Sequence, residues 1–397
     1  IGSVTKVWTA TVIMALVDAG KLDLDEPVVS YLPEFTFADD EVTRRVTMRH
    51  LLTHTSGIDG DFFYDSGRGD ECLERYVEAL AGLRLNHPLG ATWSYCNAGF
   101  TTAGRVIEKL TGQVWDAAMK DMLYTPLGLG HTVTLPDDAL LYRTAVGHVH
   151  EGHEAPRRAP VWVLPRSAGP AGLIASTVGD VLSFARMHLA GGTGPDGTRL
   201  LSQKSAAAMQ AEEVRLPDPY TLADSWGLGW FRLDWNGTRL IGHDGNTIGQ
   251  SAFLRILPEQ DMAVTLLTNG GHTRDLYETL IREVFRETAG VEMATPLTPP
   301  DAAVDADIAP HVGTYERTGA RIDVWQADTG PRLRLTSTQE VAGLDQEVKE
   351  LDLVPVRENL YLVRLPGAET WTPVTFYALS DGSPYMHLGV RATPKVA

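Results

Sequence analysis

Ser3-Val4-Thr5-Lys6-Val7-Trp8-Thr9-Ala10-Thr11-Val12-Ile13-Met14-Ala15-Leu16-Val17 is the segment from which the architecture can be worked out. Apolar residues recur at helical spacing (Val4, Val7, Trp8, Ile13, Leu16, Val17), and Gly20 follows as a stop. A helix apolar most of the way round belongs inside a core rather than on a surface. Its N-terminal end carries the polar exceptions. Ser3 and Lys6, three apart, share one face with β-carbons about 5–6 Å apart, so a lysine amine reaches a serine hydroxyl. A hydroxyl of ordinary pKa is a poor nucleophile, and a desolvated, partly deprotonated lysine is one of the few groups that activates it. The helix start adds unpaired N–H groups and a positive dipole end that favour an anion there. Taken alone, the tetrapeptide reads more readily as an exposed helix start capped by a serine.

Around this segment lie 397 residues, enough for a large core and more than one domain. The 34 basic residues face 51 acidic ones, a net charge of −17 that repels a phosphate backbone, and no Lys/Arg stripe offsets it. Nucleic acid is excluded as a partner on that ground. No apolar run reaches the ~18 residues of a transmembrane span. Two cysteines, Cys72 and Cys96, cannot define a disulfide framework. With Ile1 first and the helix under way by Ser3, an upstream segment is expected, and any secretion signal would lie there.

Helical periodicity continues at 71–83, 98–111, 114–122, 177–190, 202–210 and 272–287, between Gly/Pro-rich loops. Strand-like runs gather at 228–233, 238–243, 250–257 and 262–269, with short polar breaks suited to antiparallel hairpins. A helix-rich block with adjacent antiparallel strands reads as α+β, or mixed α/β, and not as a βαβ repeat. Residues 294–310 have the Thr/Pro/Asp/Ala composition of a linker. Short alternating segments follow at 321–326, 332–336, 349–354, 360–365, 374–378 and 385–391, which predict a small antiparallel sheet or barrel as a second domain.

An attacking serine needs a proton delivered to its leaving group, and a phenol held near two cations can do this. Tyr95-Cys96-Asn97 supplies the phenol, behind the turn-forming His87-Pro88-Leu89-Gly90 that predicts a loop position. His243-Asp244-Gly245 falls between two strand-like runs, where a glycine marks close backbone approach. An isolated Tyr-x-Asn is usually a core tyrosine, and an isolated His-x-Gly a surface turn.

In chain order, Ser3-x-x-Lys6, Tyr95-x-Asn97 and His243-x-Gly245 resemble the boxes of the serine β-lactamase and penicillin-binding-protein superfamily. Within it they are similar to the branch of class C β-lactamases, D,D-peptidases, D-aminopeptidases and family VIII esterases. Further blocks carry the likeness along 1–290: Gly20-Lys21-Leu22-Asp23-Leu24-Asp25-Glu26-Pro27-Val28, Leu51-Leu52-Thr53-His54-Thr55-Ser56-Gly57, Pro126-Leu127-Gly128-Leu129 and Gly172-Leu173-Ile174-Ala175-Ser176-Thr177.

The resemblance implies an antiparallel sheet flanked by helices over 1–293, and an acyl-enzyme on Ser3 with Lys6 and Tyr95 sharing the proton traffic. It implies an oxyanion hole from the backbone N–H groups of Ser3 and Asn246, with Asn97 and Gly245 lining the substrate. His243 stands where β-lactamases usually carry lysine, which weakens a grip on a β-lactam carboxylate and looks like D,D-peptidases and D-peptide hydrolases instead. Family members usually begin with a helix and two strands ahead of the serine, so that segment is expected upstream. After the 294–310 linker, 311–397 looks like a lipocalin-like β-barrel, opened by Val312-Gly313-Thr314-Tyr315 and closing near His387-Leu388-Gly389-Val390-Arg391. Arg391, Arg166 or Arg232 could anchor a substrate carboxylate, although a solvated arginine is the commoner state of each.

The expected activity is a serine acyl-enzyme hydrolase or acyltransferase on a peptide, amide or ester, with D-amino-acid peptides favoured by the resemblance. Peptide cyclisation or transpeptidation, carboxylesterase action, weak β-lactamase activity and a non-catalytic sensor are the alternatives. The partner is a small-molecule or peptide substrate, and no cofactor is implied. His148, His150 and His153 with Glu151 and Glu154 form the densest histidine cluster, but no His-Glu-x-x-His helix or Cys pair supports a metal there. A solvated loop is expected.

Overall fold

The opening helix, α1 (Thr5–Asp18), runs through the middle of the largest hydrophobic core, with Val7, Trp8, Ala10, Val12, Ile13 and Leu16 all buried. The structure is a computed structural model that describes residues 1–150, 155–162, 164–338 and 348–397. Trp8 stacks on Phe184 at 4.4 Å between ring centroids, which ties α1 to a later helix (Val178–Leu189). A single 3-10 turn, Gly2–Val4, precedes α1, so Ser3 lies on a tight turn at the helix mouth. Helix α2 (Asn97–Thr111) crosses α1 and meets the short helical turn Gly169–Gly172 at Gly104, where a β-carbon would stand 2.1 Å from Pro170 Cγ.

Six antiparallel strands form the central sheet in sequential order: β1 (Val214–Arg215), β2 (Ser225–Trp226), β3 (Phe231–Trp235), β4 (Thr238–Thr247), β5 (Gln250–Leu257) and β6 (Met262–Thr268). Alternation along β5 places its two faces. Ala252, Leu254 and Ile256 join the core around α1, while Phe253 and Leu257 pack with Tyr277, Ile281 and Phe285 of the helix Thr273–Ala289. The sheet is therefore covered on both faces, as the α+β reading requires.

Two differences from the sequence reading bear on the site. Strand β4 does not stop at His243 but continues through Thr247, so His243-Asp244-Gly245 is in-strand and paired with Leu254, Phe253 and Ala252. Tyr95 lies in the expected loop, ahead of α2, but is buried there. It immediately precedes Cys96, which caps α2 by accepting from the Gly99 amide.

Beyond residue 310 lie a four-stranded sheet of β7 (Gly313–Arg317), β8 (Ala320–Ala327), β9 (Gly330–Ser337) and β10 (Val348–Asp352), and a five-stranded sheet of β11 (Val354–Arg357), β12 (Leu360–Val363), β13 (Thr372–Ala378), β14 (Pro384–Leu388) and β15 (Arg391–Pro394). They share one core, including Tyr315, Val324, Leu333, Tyr361 and Phe376, and an isolated bridge Tyr315↔Lys395 joins their edges. Among the described residues the pairings form two sheets, and no ring of pairings closes.

The run expected as one strand over 385–391 is two strands. Gly389 (φ 58°) and Val390 (φ 63°) turn the chain between β14 and β15 in the left-handed region, which a β-branched valine adopts only under constraint. That constraint is contact with the first 300 residues. The Val390 carbonyl accepts from the Tyr95 amide at 3.0 Å, the Ala392 amide donates to Ser94 Oγ at 3.2 Å, and Asn86 Nδ2 donates to the Ala392 carbonyl.

Candidate active site

Ser3 does not cap α1, because no side chain accepts from the first turn of that helix. Its hydroxyl instead accepts from Lys6 Nζ at 3.0 Å. Lys6 also donates to Asn97 Oδ1 at 2.7 Å and to the Ala171 carbonyl at 2.7 Å, so its three donor directions are filled by neutral acceptors. Among the described residues no carboxylate bonds to it. Burial, followed by the field of Arg391, holds the Lys6 amine well below the usual lysine range, which makes the free amine accessible. A lysine in that state can take the serine proton.

Tyr95 is buried beside them, with the Ser3 side chain in hydrogen-bonding range of its phenol. Burial pushes the phenol upward, and the Ser3 hydrogen bond and Arg391 pull it back. Lys6 Nζ stands 4.8 Å and the Arg391 guanidinium 4.9 Å from the centre of the Tyr95 ring. Arg391 Nε and Nη2 both bond Asp61 Oδ1, at 3.1 and 2.7 Å, and Arg317 of β7 pairs with the same carboxylate.

His243 faces this group from β4. Its Nδ1 lies 2.6 Å from the Asp244 carbonyl oxygen, a contact that assigns the proton to Nδ1 and leaves Nε2 as a bare acceptor. That Nε2 has no hydrogen-bond partner among the described residues. Burial, then the Lys6 charge, lowers the imidazole to about 3, so His243 is neutral at physiological pH. Its neighbour Asp244 is pushed up by burial but held below the usual carboxylate range by Arg255 at 2.6 Å and Arg274 at 3.1 Å.

Glycine brings the two candidate oxyanion donors together. A β-carbon on Gly2 would stand 2.5 Å from the Asn246 nitrogen, and one on Gly245 would stand 2.8 Å from the Ser3 nitrogen. The nucleophile turn thus lies flush against β4, with the Ser3 and Asn246 amides side by side. Two cavities open at Ser3. The smaller, about 220 Å³, is lined by Phe62, Phe63, Tyr64, Tyr76, Asn97 and Asn246. The larger, about 840 Å³, is lined by Tyr95, His243, Tyr220, Trp371 and Arg391 among others, and reaches between the central sheet and the C-terminal sheets.

Ser3, Lys6, Tyr95, Asn97, His243, Gly245, Asn246 and Arg391 therefore all meet around one cleft. Arg166 and Arg232 do not line these cavities; Arg166 pairs with Asp116 and Asp70, and Arg232 with Glu212. Among the described residues no group of three or more His, Cys, Asp or Glu could hold a metal ion. Glu151, His153 and Glu154 of the histidine cluster lie outside the described residues. Cys72 and Cys96 are buried free thiols. No described helix is long and apolar enough to cross a membrane.

Sequence reasoning gave no role to His54, although its block was noted. It adopts φ 61°, accepts the Cys96 amide on Nδ1 at 2.9 Å and sets its ring 4.4 Å from that of Tyr95. Burial holds it well below the usual imidazole range, so it is a neutral wall for the phenol. Asp61, the anchor of Arg391, carried no motif at all.

The family model described as Beta-lactamase matches residues 1–286. Penicillin-binding protein 4 of Amycolatopsis lactamdurans is 49% identical over 320 residues, covering 80% of this chain and 84% of that protein. SurE aligns over 100% of this chain and 87% of its own, with TM-score 0.78 and 29% identity, and SurE with D-Leu aligns with TM-score 0.75. The D-stereospecific amidohydrolase from Streptomyces sp. aligns over 73% of this chain and 86% of its own, with TM-score 0.58 and 26% identity.

Proposed function

This chain belongs to the beta-lactamase family and is a serine hydrolase of the penicillin-binding-protein type, and from that premise we propose that it transfers the acyl group of D-amino-acid-containing peptides through an ester on Ser3. The observation that carries the reading is the desolvated Lys6 amine at 3.0 Å from Ser3 Oγ, with Tyr95 buried in the same cleft. The D-configuration is supported by two relatives, SurE, solved with D-Leu, and the D-stereospecific amidohydrolase.

In the proposed reaction Ser3 Oγ attacks the substrate carbonyl as its proton passes to Lys6. The tetrahedral oxyanion lies between the Ser3 and Asn246 amides, a pair of donors that in such sites contributes about 10²–10³ in rate each when removed singly. Tyr95 gives its phenolic proton to the leaving group and regains one from Lys6, which thereby returns to the free amine. Because the proton donor lines the larger cavity and is absent from the smaller, the leaving group and the acceptor occupy the side of about 840 Å³, and the acyl side chain the aromatic pocket of about 220 Å³. The volume on the acceptor side favours a peptide-sized acceptor, and the bare Nε2 of His243 there suits an incoming N–H. When that N–H belongs to an amine, the product is a new peptide bond, cyclic if the amine is the substrate's own; when water enters, hydrolysis results.

His243 in place of a lysine argues against efficient β-lactam turnover, since a neutral imidazole offers no charge to the carboxylate. The test is a mass measurement followed by a panel. A fluorophosphonate should add once, on Ser3, and nitrophenyl esters of D-aminoacyl peptides should turn over faster than their L counterparts and faster than nitrocefin. An unmodified Ser3 under conditions where the protein is folded overturns the acyl-enzyme; an L preference overturns the substrate class; fast nitrocefin turnover overturns the demotion of β-lactamase activity.

A further inference from the structure

A buried phenol gives up its proton only if positive charge lies close to the oxygen it leaves behind. The position where resembling β-lactamases keep a lysine holds His243, whose ring stands among Trp226 and Phe231 and carries no charge. The site nevertheless has two basic side chains within 5 Å of the centre of the Tyr95 ring, Lys6 at 4.8 Å and Arg391 at 4.9 Å. The second comes from the far end of the chain, the first residue of β15.

We infer that Arg391 is a positioning residue that replaces, from the C-terminal sheet, the charge of the absent lysine, biasing Tyr95 toward its phenolate and Lys6 toward its free amine. The inference rests on the acyl-enzyme reading above and adds to it the reason the C-terminal strands are part of the chemistry. Arg391 is not a mobile surface arginine. Asp61 grips its Nε and Nη2, Arg317 shares that carboxylate, and the Thr318 amide donates to Asp59 Oδ2 at 2.7 Å. Asp61 and, at longer range, Asp59 face the two guanidiniums, and of these charged groups it is Arg391 that stands 4.9 Å from the centre of the phenol ring. The Tyr95 amide bonded to the Val390 carbonyl at 3.0 Å fixes the adjacent backbone in register.

The other ionisable groups around Tyr95 do not supply this charge. Burial holds His54 and His243 neutral and pushes the Cys96 thiol up to about 11. Asp244 is spent on Arg255 and Arg274. Burial raises Asp59 from its ordinary value and lowers Lys6 from its own, so neither offers the phenol a fixed positive charge. Arg391 remains the permanent charge on the phenol, since a guanidinium does not titrate.

The test is the pH–rate profile of fluorophosphonate labelling of Ser3 in the full chain, read by intact mass. Arg391→Gln should move the acidic limb upward by about one unit, a roughly tenfold slower labelling at pH values on that limb. Asp61→Asn removes negative charge from the same cluster and should move that limb downward, and Arg391→Lys should return it most of the way. Opposite shifts cannot come from loosened packing, which would lower the rate of both variants without moving their limbs. Limbs that stay in place, or move together, overturn the role of Arg391. Should Arg391→Gln fail to fold, the Asp61→Asn limb decides alone: a downward shift supports the inference and an unmoved limb overturns it. A wild-type Ser3 that takes no label overturns the acyl-enzyme reading itself and this inference with it, an outcome distinct from a labelled serine with unmoved limbs.

Discussion

Gly245 faces Ser3 across a gap that no side chain fits: a β-carbon there would stand 2.8 Å from the Ser3 nitrogen and 2.0 Å from the Ile1 carbonyl oxygen. Strand β4 and the nucleophile turn are thereby held backbone to backbone, which is what brings the Ser3 and Asn246 amides together. Gly245→Ala should push the turn off the strand and spoil the donor pair. Loss of one such donor costs about 10²–10³ in rate, so ester turnover should fall by at least about a hundredfold while the chain still folds. Steady-state kinetics beside circular dichroism measure both; full activity in a folded Gly245→Ala chain would mean the two amides do not work as a pair.

Lys6 satisfies Ser3, Asn97 and Ala171 at once, so its replacement should separate chemistry from stability. Lys6→Met fills much of the same volume without the amine. The serine loses its base, a loss of about 10²–10⁴ in acylation rate. Asn97 Oδ1 and the Ala171 carbonyl lose their donor, at a cost of about 1–3 kcal/mol if no water enters. Stopped-flow acylation and urea unfolding of the same preparation give the two numbers, and a Lys6→Met chain that acylates at wild-type rate rules out the amine as base.

Periodicity and spacing carried much of this. Helix 98–111 and strand 250–257 are legible because their apolar residues repeat at 3.6 and 2 over enough positions for burial to dictate the element. The Ser3/Lys6 pair was legible because both lie within one helical turn. His54 and Asp61 were not, since each acts through a contact with a segment remote in sequence: His54 through the Tyr95 ring, and Asp61 through Arg317 and Arg391. The split of 385–391 into two strands was hidden for a related reason. Val390 has strand propensity, and only its docking on Tyr95 forces it to φ 63°.

His243→Lys tests whether a family lysine can be restored. The His243 ring stands among Tyr95, Trp226 and Phe231, and the neighbouring carboxylate, Asp244, is already taken by Arg255 and Arg274, so it is not free to pair with an ammonium. Burying an unpaired cation there should destabilise the chain by several kcal/mol, or leave the lysine deprotonated. Nitrocefin turnover should not rise. A His243→Lys chain as stable as wild type with a gain in nitrocefin hydrolysis would show that the cleft has a counter-charge for it.

Buried neutral imidazoles set the acid limit of the fold. Burial lowers His188 and His243 to about 3 and His87 to about 4, and holds His54 well below its ordinary value of 6.5. Above pH 6.5 these rings are neutral in folded and unfolded chains alike, and their contribution is fully present. As pH falls below 6.5 the unfolded chain binds protons that the folded chain refuses, so stability drops by up to about 1.4 kcal/mol per pH unit for each ring. Asp61 and Asp244 add a second phase. Burial raises them, but their arginines hold both below the ordinary 3.8, so the stability they supply is present above 3.8 and lost as pH falls through their depressed folded values. The expected curve is a plateau near neutrality, a steady fall from pH 6.5 to about 4, and a further fall below it as the Arg317–Asp61–Arg391 clamp on the C-terminal sheets and the Asp244 pairs weaken. Urea unfolding at pH 7, 5.5 and 4.5 measures the first phase, and an unfolding free energy that stays level across those three values would show that water reaches the imidazoles and that burial does not hold them neutral.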